Sequence, residues 1–308
     1  MGTTLNRQAA GAFADARRYP RTIRLPAFRA VTAGSPTSIV MPLGVTYQSI
    51  SIRSTVATVP ASLALIKSDL AKIKCTIDGD AKLDASANEY LGVNNFWNQA
   101  KSGSTNVVDG VLRIDLARPW DQEIVAQDGP AWGCAVGVVG GVKVFNLDLT
   151  TIPASTIDGF EAYAEVTPPE PLGRHWCMRR VTDVMTVAGD KVISDWPNIG
   201  PDVSWYALHI DKTGGTGNLI TEVQLKIDQS DEIERGVYGY LQSQFTRYGC
   251  VQQTGFVHIP FARRGRPNEG CPAIFNDGRL TIKTSGSIGN FNVLIESLEG
   301  TDPVQAAA

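Results

Sequence analysis

Six short runs occur twice in this chain, and in the same order. Ala33-Gly34, Tyr47 to Ile52, Lys74-Cys75-Thr76-Ile77-Asp78, a stretch ending in Tyr90-Leu91-Gly92, Leu112 to Arg118 and Gly159-Phe160 come first. They return as Ala188-Gly189, Tyr206 to Ile210, Lys226-Ile227-Asp228, a stretch ending in Tyr248-Gly249, Val257 to Arg263 and Asn290-Phe291. The separation shrinks from 155 residues at Gly34/Gly189 through 150 at Ile77/Ile227 to 131 at Phe160/Phe291, so order is kept while loops in the later copy shorten. A short period would mean a solenoid or propeller, whereas a period of domain length predicts two similar domains in tandem.

With 308 residues the chain is long enough for two cores of ordinary size. A charged fraction of 19% beside 43% hydrophobic residues, with 30 Gly and 17 Pro, describes a turn-rich globular protein and excludes a fibrous or disordered one. Between Met1 and Ser68 eight bases face the single acid Asp15, a surplus of +7, so with −3 overall the remainder carries −10. One end is therefore expected to favour an anionic surface. Cys75, Cys134, Cys177, Cys250 and Cys271 are odd in number and never form a CxxC pair, which predicts free, mostly buried thiols in a reducing compartment. No signal-peptide layout opens the chain, and the longest apolar stretch, Trp132 to Phe145, is too short and too glycine-broken to span a membrane. It is expected to form a buried strand pair.

Alternation with a period of two marks strands at Tyr47 to Ile52, Ile73 to Ile77, Leu112 to Leu116, Val142 to Val144, Phe160 to Val166, Tyr206 to Ile210, Val223 to Ile227, Phe256 to Ile259, Leu280 to Ile282 and Phe291 to Ile295. One helix is expected per half. The first has Leu83, Ala87, Tyr90 and Leu91 on its apolar side and stops at Gly92. The second opens on an Asp231/Glu234 capping box, and Ile233, Val237, Tyr240, Leu241, Phe245 and Tyr248 recur at helical spacing up to Gly249. Thr167-Pro168-Pro169-Glu170-Pro171 lacks three backbone donors and reads as a linker. The expected fold is all-β: two consecutive jelly-roll β-sandwiches, a double jelly roll, each with one short helix. The expected boundaries are an arm at 1–20, rolls at 21–166 and 172–302, the Pro-rich linker at 167–171 and a tail at 303–308.

The run Leu25-Pro26-Ala27-Phe28, then Val31-Thr32-Ala33-Gly34, then Met41-Pro42-Leu43-Gly44-Val45-Thr46-Tyr47 resembles the opening of double jelly-roll major capsid proteins. The nearest group is the corticovirus-like, tailless icosahedral phages with an internal membrane. Ile73 to Gly79, a helix closing on Glu89-Tyr90-Leu91-Gly92, and Val111 to Arg118 follow in that family's order, so the resemblance is good from Thr22 to Leu149. It implies a virion shell protein, made in the host cytoplasm, that forms a homotrimer of six upright rolls in a pseudo-hexagonal capsomer. Its partners would be neighbouring capsomers, penton and minor capsid proteins and the internal membrane, with no direct contact to nucleic acid and no cofactor. The arm bearing Arg7, Phe13, Arg17, Arg18, Arg21 and Arg24 would lie on anionic lipid or tuck against a neighbouring subunit.

Chemistry-bearing motifs are sparse. His175, His209 and His258 look scattered, and the last two sit in strand-period runs where a hydrogen-bonded, half-exposed histidine is the expectation. GxSxG, HExxH and paired-cysteine signatures are missing from the sequence, which speaks against the common hydrolases and zinc sites, so no catalytic or metal residue is named. Asp78, Asp80 and Asp84 gather carboxylates that a hard cation could use, although Asp80 could simply cap a helix. Gly214-Gly215-Thr216-Gly217-Asn218 reads as a hairpin turn, and Arg263-Arg264-Gly265-Arg266-Pro267 as a solvated or ion-paired loop. One rival function is a carbohydrate- or receptor-binding sandwich that stacks ligands on Trp97, Trp120, Trp132 or Trp205. Another is a glycan-active enzyme, for which nothing in the sequence pairs two carboxylates.

Overall fold

The computed structural model describes residues 20–97, 107–108, 110–117, 131–139, 141–197, 199–212, 219–233, 238–262 and 270–300. Eight principal strands make the first half: β1 (Arg21–Arg24), β2 (Pro36–Val40), β3 (Thr46–Val56), β4 (Leu70–Ile77), β5 (Asp80–Ala85), β6 (Val111–Asp115), β7 (Phe145–Thr151) and β8 (Gly159–Thr167). Eight more make the second: β9 (His175–Met185), β10 (Gly189–Ile193), β11 (Val203–Asp211), β12 (Ile220–Ile227), β13 (Ser230–Ile233), β14 (Phe256–Pro260), β15 (Gly278–Thr284) and β16 (Gly289–Glu299). The first half forms sheets β1-β8-β3-β6 and β2-β7-β4-β5, and the second forms β9-β16-β11-β14 and β10-β15-β12-β13. Adding eight to every label in the first pair of sheets produces the second pair. Each half is thus an eight-stranded jelly roll, and the repeated runs of the sequence fall on equivalent strands.

Alternation builds these sheets. In β8, Phe160, Ala162, Ala164 and Val166 turn inward while their neighbours face outward, and β7 does the same with Phe145, Leu147 and Leu149. The duplicated Asp78 and Asp228 do a specific job. Each sits at positive φ (50° and 47°) in a two-residue hairpin, followed by Gly79 and by Gln229. Asp78 Oδ1 accepts from the Lys143 and Val144 amides at 2.9 and 2.8 Å, and Asp228 Oδ1 accepts from Asn276 and Asp277 at 2.9 and 3.0 Å. The same carboxylate therefore pins the β4–β5 turn in one roll and the β12–β13 turn in the other.

Three helices are described: α1 (Leu63–Asp69), α2 (Ala87–Phe96) and α3 (Tyr238–Arg247). α2 and α3 hold corresponding places, before β6 and before β14. α1 is an addition to the one helix expected in the first half; Ser62 caps it by accepting from the Leu65 amide. Two expected boundaries also move. Leu83 belongs to β5, and α2 starts after Ser86, whose hydroxyl and Glu89 form a reciprocal capping box. Helix α2 then runs through Gly92 to Phe96 instead of stopping. Asp231 and Ile233 lie in β13, paired with β12, where the helix was expected to open; Glu234 and Val237 lie outside the described residues. Gly249, at φ 84°, does end α3, with the Cys250 amide returning to the Phe245 carbonyl.

The Trp132 to Phe145 stretch is not a strand pair. Trp132-Gly133 forms a two-residue strand against β3, and the following glycine-rich loop exposes Val136, Val138 and Val139 before β7 begins. No described helix is long and apolar enough to cross a membrane. The two rolls share side chains rather than merely touching. Trp176, Met178, Tyr206, Phe256, Leu294 and Leu298 of the second roll join the first core, Phe96 of the first joins the second, and Trp97 packs against both.

Candidate functional site

The seam between the rolls concentrates the buried polar chemistry of the molecule. β5 and β9 run parallel there, with Met178 opposite Leu83, so one sheet crosses from roll to roll in the order β14-β11-β16-β9-β5-β4-β7-β2. Side chains along this joint alternate with the pleat. Arg179 clamps Glu299 through Nε and Nη2, both at 2.7 Å, and reaches back to Asp80 through Nη1 and Nη2, both at 2.9 Å. Lys82 bonds Glu299 at 3.2 Å and Asp80 at 2.8 Å. Two cations and two carboxylates, one of each from either roll, thus close a neutral cluster around the almost fully buried Glu299. The bond from Arg179 holds the Asp80 carboxyl well below the usual carboxylate range, against the opposing effect of burial and with help from Lys82. Burial works to lower the Arg179 pKa, and the bonds to Glu299 and Asp80 outweigh it.

One strand position further, Arg180 bonds Asp84 at 2.8 Å and Glu89 at 3.3 Å, and Lys72 meets the other Asp84 oxygen at 3.2 Å. Glu89, buried at the start of α2, also accepts from Asn292 of β16 at 2.6 Å. Its carboxylate is thus a helix cap and an inter-roll tie at once. An open groove of about 560 Å³ lies over this region, lined by Lys67, Ser86, Glu89, Arg180, Asp211 and Asn292 among others.

Deeper in the seam stands Glu296 of β16, 2% exposed. Its oxygens accept from Trp176 Nε1 at 2.8 Å, from Trp97 Nε1 at 2.8 Å and from His209 Nε2 at 3.2 Å. A carboxylate in so dry a place survives only with such donors. His209 Nδ1 then lies 2.7 Å from Nδ1 of His258. Phe96, the last residue of α2, stacks on the His258 ring at 4.1 Å, and the Phe256 ring lies parallel to it within 7°, with centroids 5.5 Å apart. Gly92 makes this docking possible: a Cβ there would collide with the Phe256 ring, so the helix comes close because it has no side chain at that point. Trp132 adds a further tie by donating to the Trp176 carbonyl at 2.8 Å.

The expectation of scattered, half-exposed histidines is corrected. His209 and His258 are fully buried and bonded to each other, being directly opposed in the β11–β14 register. His175 is separate from the pair: its Nδ1 bonds the Gly173 carbonyl at 2.7 Å, and burial, then the nearby Lys82, lowers its pKa to about 4. His175, Cys177 and Glu299 bring ligand-type atoms within 4.8 Å of one another. Glu299 already receives Arg179, Lys82 and Ser297, so cationic groups of the chain fill the role a metal would take. Asp78, Asp80 and Asp84 are likewise engaged separately, by backbone amides, by Arg179 with Lys82, and by Arg180 with Lys72. All five cysteines are free thiols; burial pushes Cys134 up to about 12 and raises Cys177 well above its ordinary value.

The tryptophans proposed as a stacking surface face inward: Trp132 and Trp205 are fully buried and Trp97 is held by Glu296. Trp120, Gly214 to Asn218 and Arg263 to Pro267 lie outside the described residues. So do Arg7, Phe13, Arg17 and Arg18. Arg21 and Arg24 belong to β1, where Arg24 bonds Glu161 at 3.0 Å.

Chemically the seam is a fastener, made of paired charges, a shared carboxylate and interleaved rings. The fold that carries it has known counterparts. The chain is similar over 91% of its length to the major capsid protein P2 of bacteriophage PM2, at 18% identity and a TM-score of 0.72, covering 97% of that chain. It is similar also to a chain of Sulfolobus Turreted Icosahedral Virus (16% identity, TM-score 0.62, 94% of this chain and 93% of the other). A chain of the PBCV-1 virus capsid matches at 9% identity with a TM-score of 0.61, over 91% of this chain and 94% of that one. No curated protein matches the sequence. Residues 22–167 match the family model described as viral coat protein P2 N-terminal domain. The first roll is therefore similar to the viral coat protein P2 N-terminal domain family, within a chain that has the double jelly-roll fold throughout.

Proposed function

We propose that this chain is the major coat protein of an icosahedral, membrane-containing virus and builds the virion shell from trimeric, pseudo-hexagonal capsomers. The observation that carries the reading is the strand order that recurs at a step of eight, with the rolls joined side by side by the parallel β5–β9 pair. Three such subunits present six near-equivalent rolls, a shape that tiles a shell. Its likeness to coat proteins and the match of residues 22–167 support the same reading. The stacking-surface alternative finds no exposed cluster of tryptophans among the described residues. Weighing the purified chain in solution tests the proposal. A trimer, about three times 33.1 kDa, is expected, and a monomer that persists at high concentration would contradict it.

On this reading residues 1–20 form the arm, 21–166 and 172–302 the rolls, 167–171 the joint and 303–308 the tail. β8 ends at Thr167 and β9 starts at His175, so the start of β1, which pairs with the end of β8, lies at the same end as the start of β9. The arm with Arg7, Phe13, Arg17 and Arg18, together with Arg21 and Arg24 of the adjoining β1, would meet the internal membrane from that end, leaving other edges for neighbouring capsomers, penton and minor capsid proteins. Each base near an anionic surface contributes on the order of 1 kcal/mol. Deleting residues 1–20 should leave the trimer intact and abolish binding to anionic vesicles; retained vesicle binding would remove the arm from the account.

A further inference from the structure

We infer that the His209–His258 pair is a proton-operated latch that holds helix α2 of the first roll against the second. The geometry sets the rule. Glu296 takes the Nε2–H of His209, so in the neutral pair the Nδ1 of His209 accepts the Nδ1–H of His258 across 2.7 Å. The Nε2 of His258 then carries a bare lone pair, and it has no hydrogen-bond partner. One added proton is accommodated: it takes the bare Nε2 lone pair of His258 and leaves the Nδ1–Nδ1 bond in place. A second proton leaves two N–H groups facing each other across the same gap, so the bond breaks and two cations remain in a dry site.

The groups packed on the pair decide what moves. The side chains of Phe96 in α2, of Trp97 just after it and of Phe256 in β14 carry no charge and no hydrogen-bond acceptor for a new imidazolium. Glu296 is a titratable group bonded to the pair, and it also accepts from the Trp97 and Trp176 indoles. The ring that faces a doubly protonated His258 most closely is Phe96, whose carbonyl also holds the Val251 amide at 2.7 Å. Opening the pair therefore unseats the C-terminal turn of α2, which is a contact between the rolls. Burial, then the His209 charge, pushes the His258 pKa well below its ordinary value. The folded chain accordingly refuses a proton that the unfolded chain accepts, and stability falls as pH drops below about 6.5.

The test follows the intact chain from pH 7.5 to 5.0 by chemical denaturation and by hydrogen exchange. Each histidine kept neutral by folding makes the folding equilibrium fall about tenfold per pH unit below about 6.5. His175 and His258 together should therefore give up to about a hundredfold per unit, reduced to about tenfold in His258→Phe, which keeps the ring stack. In the wild type, amides of α2 should exchange faster at pH 5 than intrinsic chemistry allows, while amides of the β2-β7-β4 sheet hold. If His258→Phe fails to fold, the exchange experiment stands alone. Uniform protection at both pH values, or an unchanged pH slope in the variant, would overturn the latch.

Discussion

A glycine in mid-helix ordinarily costs about 1 kcal/mol relative to alanine, and at Gly92 the sign reverses. The Phe256 ring occupies the space a Cβ would need, so Gly92→Ala should destabilise the chain by about 1–3 kcal/mol in denaturant titration; a stabilised variant would mean that the helix does not dock as described. Gln229 is the converse case. It sits at φ 72° in the turn whose counterpart uses Gly79, so Gln229→Gly should stabilise by up to about 1 kcal/mol, and a loss would contradict the turn geometry. His175 supplies a pH dependence of its own. Its folded pKa is about 4 against an ordinary 6.5, so above pH 6.5 it contributes nothing, and between 6.5 and 4 the unfolded state gains a proton the folded state declines. That loss amounts to about 3 kcal/mol, and His175→Gln should remove it from the pH profile of stability.

Among elements, the β5–β9 joint depends on Arg179, Glu299, Asp80 and Lys82 acting together. Removing one partner strands a charge in a nearly dry site, so Glu299→Gln should cost about 3–5 kcal/mol, while the double change Arg179→Met with Glu299→Leu should cost clearly less than its two parts. Strict additivity in that cycle would show the clamp to be incidental. This joint and the His pair were not legible in the sequence, whereas the rolls were. Period-two runs and the duplicated Asp78 and Asp228 report on local geometry, which each strand carries in itself. His209 and His258 meet only through the β11–β14 register, and Trp97 meets Glu296 across 199 positions, so no spacing rule announces them. Pairing Ala207 with Pro260 and counting inward would have brought the histidines together, had the strand order been known. Gly92 looks like a helix stop in the sequence because its partner, Phe256, is also remote along the chain. Helix α1 did carry a local signal, Ser62 ahead of Leu63-Ala64-Leu65-Ile66, hidden by the expectation of one helix per half.

At the scale of the molecule, interleaved cores make one body of two rolls. Phe96 sits in the second core and Tyr206, Phe256 and Leu294 in the first, so neither roll keeps its packing when the other unfolds. Calorimetry should therefore show a single transition whose van't Hoff and calorimetric enthalpies agree; two separable transitions would show the rolls to be independent. Such a block is suited to a wall, because its stiffness lies along the strands and its edges are open to neighbours. A coat protein needs that property, and the account rests on it. Electron cryomicroscopy of the expressed, assembled protein is the most direct measurement. The account predicts a hexagonal capsomer of three subunits with six upright rolls, and a particle built on any other unit, or a chain whose two rolls lie end to end, would contradict it.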